Sequence, residues 1–407
     1  MKFIVAQLGA RRHYAIPRML NDAKMLDRLY TDICGVKGWP KLLNLLPRKL
    51  KIDGVKRLLG RNPRGIPVSK ITTFDRFGWK LSSKLRKNPS RSEFFEILLW
   101  AGKEFCENII KKDIGSSDGI YTFNGAGLEL LQYARSKGLK AVMEQTIAPM
   151  EIERKILFEE QNKYPTWQDP EPNDVWVKSY IARERAEWDA ASIILCGSDF
   201  VRNGIAECGG PVERCIVLPY GVDSEQFSIP KRAVHTGPLR VLTVGAIGLR
   251  KGSPYVSEAA EKLKGIASFR MVGPLPQSLE IRSQLAKHLE LVGPVPRTKI
   301  LEHFQWADVF LLPSTCEGSA TVTYEALATG LPVICTPNTG SVVRHGIDGY
   351  ILNDLNSDEI VESIRQIIDN DLVPIMSFNA RNRAAEYNIE EYKKRMLSIL
   401  VGINIGK

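Results

Sequence analysis

The sequence of 407 residues contains no long apolar run. Nowhere do about 18 consecutive apolar residues occur, the length that a helix needs to cross a bilayer. Low-complexity tracts are also missing, and 44% apolar with 25% charged residues is typical of a folded protein. The apolar stretch at residues 1–10 is followed at once by Arg11 and Arg12 without a small-residue cleavage site, so we expect a buried strand there, not a signal peptide.

The cysteines lack every spacing that marks a structural or metal site. They are odd in number, widely scattered and without a Cys-x-x-Cys pair: Cys34, Cys106, Cys196, Cys208, Cys215, Cys316 and Cys335. Neither a disulfide framework nor a zinc site is indicated. We therefore expect a cytoplasmic protein without a metal or other cofactor.

Acidic residues are scarce in one segment. Between Lys37 and Arg91 there are sixteen Lys or Arg residues and two acids, Asp53 and Asp75, a net charge of +14 in a chain whose total is +10. Apolar pairs such as Leu42-Leu43 lie among these cations. The pattern favours either a solvated insertion or a surface that contacts anionic lipid at the inner face of the membrane. Nucleic acid is not expected as a partner, because no recognised binding motif accompanies the charge.

Outside that segment, short apolar runs alternate with helical patterns. Residues 2–8 and about 29–33 enclose a helix, and this βαβ opening predicts a parallel sheet. The alternation continues to residue 218 and restarts at residue 240. We therefore predict an α/β protein with two Rossmann-like, doubly wound domains.

The length suits two domains, and a polar stretch with two prolines separates them. We assign residues 1–223 to an amino-terminal domain, 224–238 to a linker and 239–377 to a carboxyl-terminal domain. A last helix, at about 378–400, has apolar positions too widely spread for one face. It should pack across both domains, so we assign residues 378–407 to the first.

The most informative stretch runs from Pro313 to Gly330. It follows the apolar run at 309–312 and leads into a short helix that Gly330 and Pro332 close. The first N–H groups of such a helix have no partner within it, and they point to the carboxyl end of the strand, where open α/β sheets bind ligands. The stretch predicts an anion site.

Two carboxylates and three small residues give that site its chemistry. Gly318, Ser319 and Ala320 occupy the turn and would let a phosphate approach the backbone. Glu317 and Glu325 stand eight positions apart and could hold both ends of one extended ligand. A carboxylate beside an anion site repels the anion, so Glu317 more plausibly meets hydroxyl groups.

An ordered series of motifs carries a resemblance to a known family. It consists of Val244-Gly245, Arg250-Lys251-Gly252, Val272-Gly273-Pro274, Val292-Gly293, Leu312-Pro313-Ser314, Glu317-x7-Glu325, the run from Ala326 to Ile334, Gly340 and Gly346-x-x-Gly349. Over roughly residues 190–390 the chain resembles retaining nucleotide-sugar glycosyltransferases of the group-1, family-4 type. The first 190 residues resemble that family only in architecture. The resemblance implies the GT-B fold, in which two domains face a cleft with the donor in the carboxyl domain and the acceptor in the amino domain.

The resemblance also implies roles for donor-site residues. Lys251 matches the diphosphate-binding lysine, Glu325 would bind ribose hydroxyls, and Glu317 would lie by the donor sugar. The arginine that the family has five positions before the lysine is Ala246 here, so Arg250 is the candidate substitute. The predicted donor-binding set is Gly245, Arg250, Lys251, Val295, Glu317, Gly318, Ser319, Ala320, Thr321 and Glu325, with backbone amides at 319–321 on the diphosphate or the sugar and the backbone turn at Val295 and Arg297 on the base.

Catalysis is assigned to Lys251, Arg250 and Glu317. A departing diphosphate gains negative charge, and without a metal Lys and Arg must meet it. In the amino domain, Gly9 matches the family's glycine at the first strand-helix turn. Arg11, Arg12 and His13 follow it, although three adjacent residues cannot all point into a cleft and a simple basic helix start is the alternative.

Glu144 ends a predicted strand at its carboxyl side and is a further acceptor-side candidate. Together these features predict a retaining enzyme that moves a sugar from a nucleotide diphosphate sugar to a hydroxyl acceptor, a lipid-linked or other glycan. The alternatives are a GT-B epimerase and a non-catalytic nucleotide-sugar-binding protein. An NAD-dependent oxidoreductase is disfavoured, because Gly245-x-x-Gly248 lacks the third glycine of the dinucleotide fingerprint.

Overall fold

The computed structural model describes residues 1–45, 47, 51–112, 114–167, 174–227, 229, 237–276 and 278–402. Its strands are β1 Phe3–Gln7, β2 Leu26–Thr31, β3 Ile71–Thr73, β4 Gly119–Phe123, β5 Lys140–Gln145, β6 Ile193–Cys196, β7 Cys215–Val217, β8 Leu239–Val244, β9 Ala267–Val272, β10 Glu290–Gly293, β11 Val309–Leu312, β12 Val333–Cys335 and β13 Gly349–Ile351. Its α-helices are α1 Ala15–Asp22, α2 Asp53–Gly60, α3 Asp75–Leu85, α4 Arg91–Ile110, α5 Leu128–Ser136, α6 Met150–Lys163, α7 Val175–Ala190, α8 Asp199–Glu207, α9 Ser253–Lys262, α10 Leu279–Leu285, α11 Ile300–Trp306, α12 Thr321–Ala328, α13 Ser357–Asp369, α14 Val373–Glu386 and α15 Ile389–Gly402.

The strands form two parallel sheets. The first has the order β3-β2-β1-β4-β5-β6-β7 and the second the order β10-β9-β8-β11-β12-β13. In each sheet the chain runs outward from a central strand, returns, and continues outward on the other side. The predicted α/β class with two doubly wound sheets is confirmed.

This winding creates a switch point in each sheet, where neighbouring strands lead to opposite faces. In the first sheet β1 pairs with β4, and in the second β8 pairs with β11. Loops that leave the carboxyl ends of such a strand pair diverge and open a crevice. The segments after β8 and β11, including the start of α12, contain all the predicted donor-site residues except Val295, which follows β10.

The central strands are apolar because both of their faces are covered. Every residue of β1 in the first sheet and of β11 in the second sheet is buried. Parallel sheets need helices on both sides, so their strands are continuous apolar runs instead of alternating ones. One apolar cluster contains residues of both sheets, including Leu195 and Leu312, together with Tyr392 of α15.

One structural prediction was wrong: the predicted last helix is two helices, α14 and α15, separated at Tyr387 and Asn388, where the backbone of Val222 bonds to both flanks. In the basic segment 37–91 no helix or strand was predicted, and the structure has the edge strand β3 and helices α2 and α3 there. The apolar runs of this segment are too short to show the period of a helix or a strand, so these elements were not recognised in the sequence.

The predicted linker, residues 224–238, lies largely outside the described residues, as do residues 403–407. The domain boundaries stay a prediction. Among the described helices, none combines the length and the apolar character that crossing a bilayer requires.

Candidate active site

The loops after β8 and β11 lie in direct contact at the switch point of the second sheet. The Thr315 amide donates to the carbonyl of Arg250, at 3.0 Å. Gly252, with φ of 65°, passes so close to this loop that a Cβ would collide with the carbonyl oxygen of Pro313. The local backbone therefore requires glycine at position 252.

Lys251 reaches the crevice across Gly245. It ends a short 3₁₀ turn, Leu249–Lys251, that Gly252 closes. A Cβ on Gly245 would lie 2.9 Å from Cε of Lys251, so a side chain at position 245 would displace the lysine stem. The amine then lies 2.5 Å from Oε1 of Glu317 in an ion pair whose side chains are each 12% exposed.

These residues line one cavity of about 430 Å³. Its walls are Val244, Gly245, Lys251, Val295, Arg297, Ile300, Glu317, Ser319, Ala320, Thr321, Val322 and Glu325. The structure therefore brings together eight of the ten predicted donor-site residues. The other two, Arg250 and Gly318, are not in the cavity wall.

Arg250 does not line the cavity. Its backbone carbonyl joins the two loops, and its charge opposes the rise that burial causes in the pKa of the Cys316 thiol. Lys251, its neighbour, faces the cavity instead. The geometry therefore favours Lys251 over Arg250 as the cation beside a bound anion.

At the opposite end of the cavity, Glu325 pairs with Arg297. The Arg297 guanidinium donates to Oε1 at 2.9 Å, and it is half-exposed whereas Glu325 is buried. Burial raises the pKa of Glu325 above its ordinary value, and the Arg297 charge opposes that rise. Sequence reasoning assigned only the backbone of Arg297, because nothing in the sequence indicates that a side chain 28 positions away reaches Glu325.

The backbone amides of the β11 loop divide into bonded and free groups. The Ala320 amide donates to the Thr339 carbonyl at 3.0 Å, so it is already paired in this structure, and its contact with a diphosphate or sugar stays a prediction. Within the described part of the chain, the amides of Ser319 and Thr321 have no hydrogen-bond acceptor. Thr321 begins α12, so its N–H lies at the positive end of the helix dipole.

Gly318 connects the second sheet to the first. Its carbonyl accepts a hydrogen bond from Oγ of Ser198 at 2.5 Å, and a Cβ would collide with the carbonyl oxygen of Thr146. Ser198 begins the helix after β6, and Thr146 follows β5. Gly318 therefore serves the interface between the two sheets, and its lack of a side chain allows the backbones to meet.

In the first sheet, the loop after β1 contains three consecutive residues with positive φ angles. Arg12, His13 and Tyr14 are consecutive residues with φ of 46°, 50° and 60°. The left-handed region is unfavourable for residues with a Cβ, so this loop is strained. Surrounding contacts must hold it.

Arg12 supplies those contacts through a buried network. Its guanidinium lies 4.0 Å from the ring centre of Tyr220 and 4.4 Å from that of Tyr392, and it donates to the Tyr392 hydroxyl at 2.8 Å. Glu144 lies 3.7 Å from the same guanidinium and accepts hydrogen bonds from Tyr220, at 3.0 Å, and from Tyr121. Glu144 is 1% exposed, so it positions Arg12 and does not face the crevice.

The electrostatics of this network favour the charged arginine. Burial alone would lower the pKa of Arg12, but the nearby Tyr392, Glu144 and Tyr220 outweigh it and raise that pKa above its usual value. Arg12, held by this network, and His13 both line a second cavity. Arg11 instead donates to Oγ1 of Thr146 at 3.1 Å.

Gly9, the remaining acceptor-side candidate, has φ of 71°, and its amide donates to Oδ1 of Asp32 at 2.9 Å.

In the described residues, no group of three or more His, Cys, Asp or Glu side chains is arranged to hold a metal ion.

The chain is similar to known proteins in sequence and in fold. A family model described as glycosyl transferases group 1 matches residues 238–370, which include both loops of the donor-side cavity. The amylovoran biosynthesis glycosyltransferase AmsK of Erwinia amylovora is 25% identical over 47% of this chain and 52% of its own length. The Escherichia coli enzyme named UDP-Gal:alpha-D-GlcNAc-diphosphoundecaprenol alpha-1,3-galactosyltransferase is 28% identical over 47% of this chain and 55% of its own. The chain thus spans about half the length of the curated relatives that it matches.

Solved structures resemble the whole fold. HepE from Anabaena, in complex with UDP and glucose, superposes with a TM-score of 0.62 at 14% identity, covering 99% of this chain and all of that one. WaaG, a glycosyltransferase involved in lipopolysaccharide biosynthesis, gives 0.60 at 15% identity over 98% of this chain and 100% of its own. The predicted resemblance is confirmed: residues 238–370 match the model of the glycosyl transferases of group 1, and the chain has the GT-B fold.

Proposed function

We propose that the chain is a retaining glycosyltransferase that moves a sugar from a nucleotide diphosphate sugar to a hydroxyl of a glycan acceptor, lipid-linked or other. One observation carries the proposal: the cavity between the β8 and β11 loops gathers the Lys251 amine, two carboxylates and the free amides of Ser319 and Thr321 around one space. The relatives support it, because one curated match is named for UDP-Gal and HepE was crystallised with UDP.

The donor would lie along this cavity from Glu325 to Glu317. The Glu325 carboxylate suits the vicinal hydroxyls of a ribose, since its two oxygens can accept from both. The Arg297 guanidinium already bonds to Oε1, which keeps the carboxylate at the cavity wall. The free amide of Thr321 and the Lys251 amine would then meet the diphosphate, and Glu317 the sugar hydroxyls.

Bond exchange would take place between these two ends. The acceptor oxygen forms a bond to the anomeric carbon on the face from which the diphosphate leaves, and the bond from that carbon to the diphosphate oxygen breaks. The electron pair of the broken bond stays on the diphosphate, which also takes the acceptor's proton. Lys251 would stabilise the growing negative charge because it is preorganised and largely shielded from water.

Replacing Glu325 by Ala tests the donor site. We expect it to weaken the binding of UDP or GDP by more than about 1 kcal/mol, since a charged hydrogen-bond acceptor for the ribose is lost. Titration calorimetry measures the affinity. Glu302→Ala is the matched control, because Glu302 pairs with Lys299 at the surface outside the cavity. Unchanged nucleotide affinity in Glu325→Ala would refute the donor assignment.

The basic segment supports a second proposal, peripheral contact with an anionic membrane at its cytoplasmic face. Large apolar side chains project from this segment: Trp39 is 43% exposed, Leu42 64%, Leu45 82% and Ile52 72%. They lie among the cations of a segment with a net charge of +14. Apolar side chains beside Lys and Arg suit the boundary between lipid headgroups and acyl chains.

Liposome flotation separates this proposal from a merely solvated insertion. We expect the protein to float with vesicles that contain anionic phosphatidylglycerol, and to be released in high salt, which screens the attraction. Leu42→Ser with Leu45→Ser should abolish most of the flotation, whereas Ile375→Ser with Phe378→Ser, on exposed apolar residues of α14, should not. If the protein does not float with the vesicles at low or at high salt, the proposed membrane contact is contradicted.

A further inference from the structure

A second cavity, of about 740 Å³, adjoins the donor-side cavity. The two share Arg297, Thr321 and Glu325. The opposite wall of the second cavity comes from the strained loop and α1, and from the end of α2 with the turn after it: Arg12, His13, Ala15, Arg18, Leu59, Gly60, Asn62 and Arg64. The basic segment therefore forms part of the cleft.

The cavity has more positive than negative charge. Two of its arginines are already paired, Arg12 with Glu144 and Arg297 with Glu325. The other two are not: within the described ranges, neither Arg18 nor Arg64 pairs with a carboxylate. Asp223, the remaining acid of the wall, accepts from the Gln226 amide at 3.2 Å.

The elements that bear the two unpaired cations pack against each other. A Cβ on Gly65 would lie 3.4 Å from Cδ of Arg18, so the arginine stem packs on the backbone next to Arg64. The side-chain amide of Asn21 donates to the Gly65 carbonyl at 3.0 Å and holds α1 to this turn. The pKa of His13 is lowered, first by burial and then by the charges of Arg297 and Arg18, which places these groups around one space.

A single buried carboxylate fixes this wall relative to the strained loop. Asp32 is 2% exposed. Its Oδ2 lies 2.7 Å from the Arg61 guanidinium, and its Oδ1 accepts from the Gly9 amide at 2.9 Å. The turn that bears Arg64 is therefore anchored to the loop that bears His13, so the backbones that carry these two side chains are fixed relative to each other.

We propose that this second cavity binds a phosphate group of the acceptor between Arg18, Arg64 and His13. The proposal rests on the proposed function and adds the chemical class of the acceptor, a phosphate- or diphosphate-bearing molecule. Guanidinium groups suit phosphate oxygens because they donate in a planar, bidentate geometry. The donor's diphosphate has its own partners, Lys251 and the amide of Thr321, in the adjoining cavity.

The test uses inorganic pyrophosphate as the probe, titrated into the full chain with UDP at saturation. With UDP present, pyrophosphate should bind to the wild type, and R18Q/R64Q should weaken that binding at least tenfold while UDP affinity changes less than about twofold. R57Q/R76Q is the matched control: it removes two exposed cations of the same segment that do not line the cavity. R18K/R64K, which retains the charge, should restore part of the affinity.

Each other outcome decides against the proposal. If R18Q/R64Q weakens UDP as strongly as pyrophosphate, the arginines belong to the donor site. If pyrophosphate does not bind the UDP-saturated wild type, or R57Q/R76Q weakens it equally, the cavity has no specific phosphate site. Failure of the proposed function gives a different result. The wild type would then not bind UDP, while pyrophosphate would still bind more weakly to R18Q/R64Q than to R57Q/R76Q.

Discussion

Replacing Lys251 by Ala is expected to slow sugar transfer by about 10²- to 10³-fold, the usual effect of removing one preorganised group that stabilises charge in the transition state. The amine is 12% exposed and faces the cavity across Gly245, where the departing diphosphate would gain charge. In so sheltered a place, water cannot replace the lost cation effectively. The loss should appear mainly in kcat, because the charge develops as the bond breaks.

The matched control is the preceding residue. Arg250→Ala removes the same charge from the same turn, but Arg250 does not line the cavity. Initial rates of diphosphate release, with the nucleotide sugar that binds best in titration, compare the two. We expect Arg250→Ala to keep nearly the full rate. Equal losses in both variants would show that Arg250 does replace the family arginine absent at Ala246.

Lys251→Ala also leaves Glu317 without its ion-pair partner, so folding needs a separate check. Glu317 is largely buried, and an unpaired buried carboxylate is destabilising. Thermal unfolding of Lys251→Ala and of Lys251→Ala with Glu317→Gln separates the two effects. A rate that recovers in the double variant would attribute the loss to the stranded carboxylate instead of the missing cation.

Replacing Arg12 by Ala should lower the free energy of unfolding by about 3 kcal/mol, because it removes one partner of a buried ion pair and leaves Glu144 uncompensated. The variant also loses the contacts with the Tyr220 and Tyr392 rings. Urea denaturation, followed by the shift of the midpoint, measures the change. The strained loop at Arg12–Tyr14 should then lose its support as well.

Arg11→Ala is the control for Arg12→Ala. Arg11 makes a hydrogen bond to Thr146 and contacts the Phe123 ring at 5.5 Å, without an acid partner in the described residues, so its loss should cost about 1 kcal/mol. Adding Glu144→Gln to Arg12→Ala removes the stranded charge and should recover part of the stability. If Arg12→Ala is no more destabilising than Arg11→Ala, the network does not hold the loop.

Much of the architecture followed from local pattern. Apolar runs alternating with helical stretches predicted both doubly wound sheets, because strands buried on two faces need continuous apolar residues. The same logic located the donor-side cavity. Lys251, Glu317 and Glu325 belong to strand-loop-helix units, and parallel strands place the loops at their carboxyl ends on one edge of the sheet.

Where the local pattern was weak, prediction failed. Strand β3 has three residues inside the basic segment, too short for a period to be recognised, and α15 continues the apolar pattern of α14. The division between these two helices depends on the backbone of Val222, a residue distant along the chain. No local signal marks such a contact.

The sequence by itself therefore determined the fold class, the order of the elements and the loops that carry the donor-side residues, since these depend on periodicity and spacing. Only the tertiary structure decided which side chains face the cavity. It placed Lys251 in the cavity wall and Arg250 outside it, buried Arg12 on Glu144, and brought Arg297 to Glu325. Arg18 and Arg64 line one cavity for the same reason: side-chain placement and long-range pairing are set by packing between elements far apart in the chain, which residue spacing does not encode.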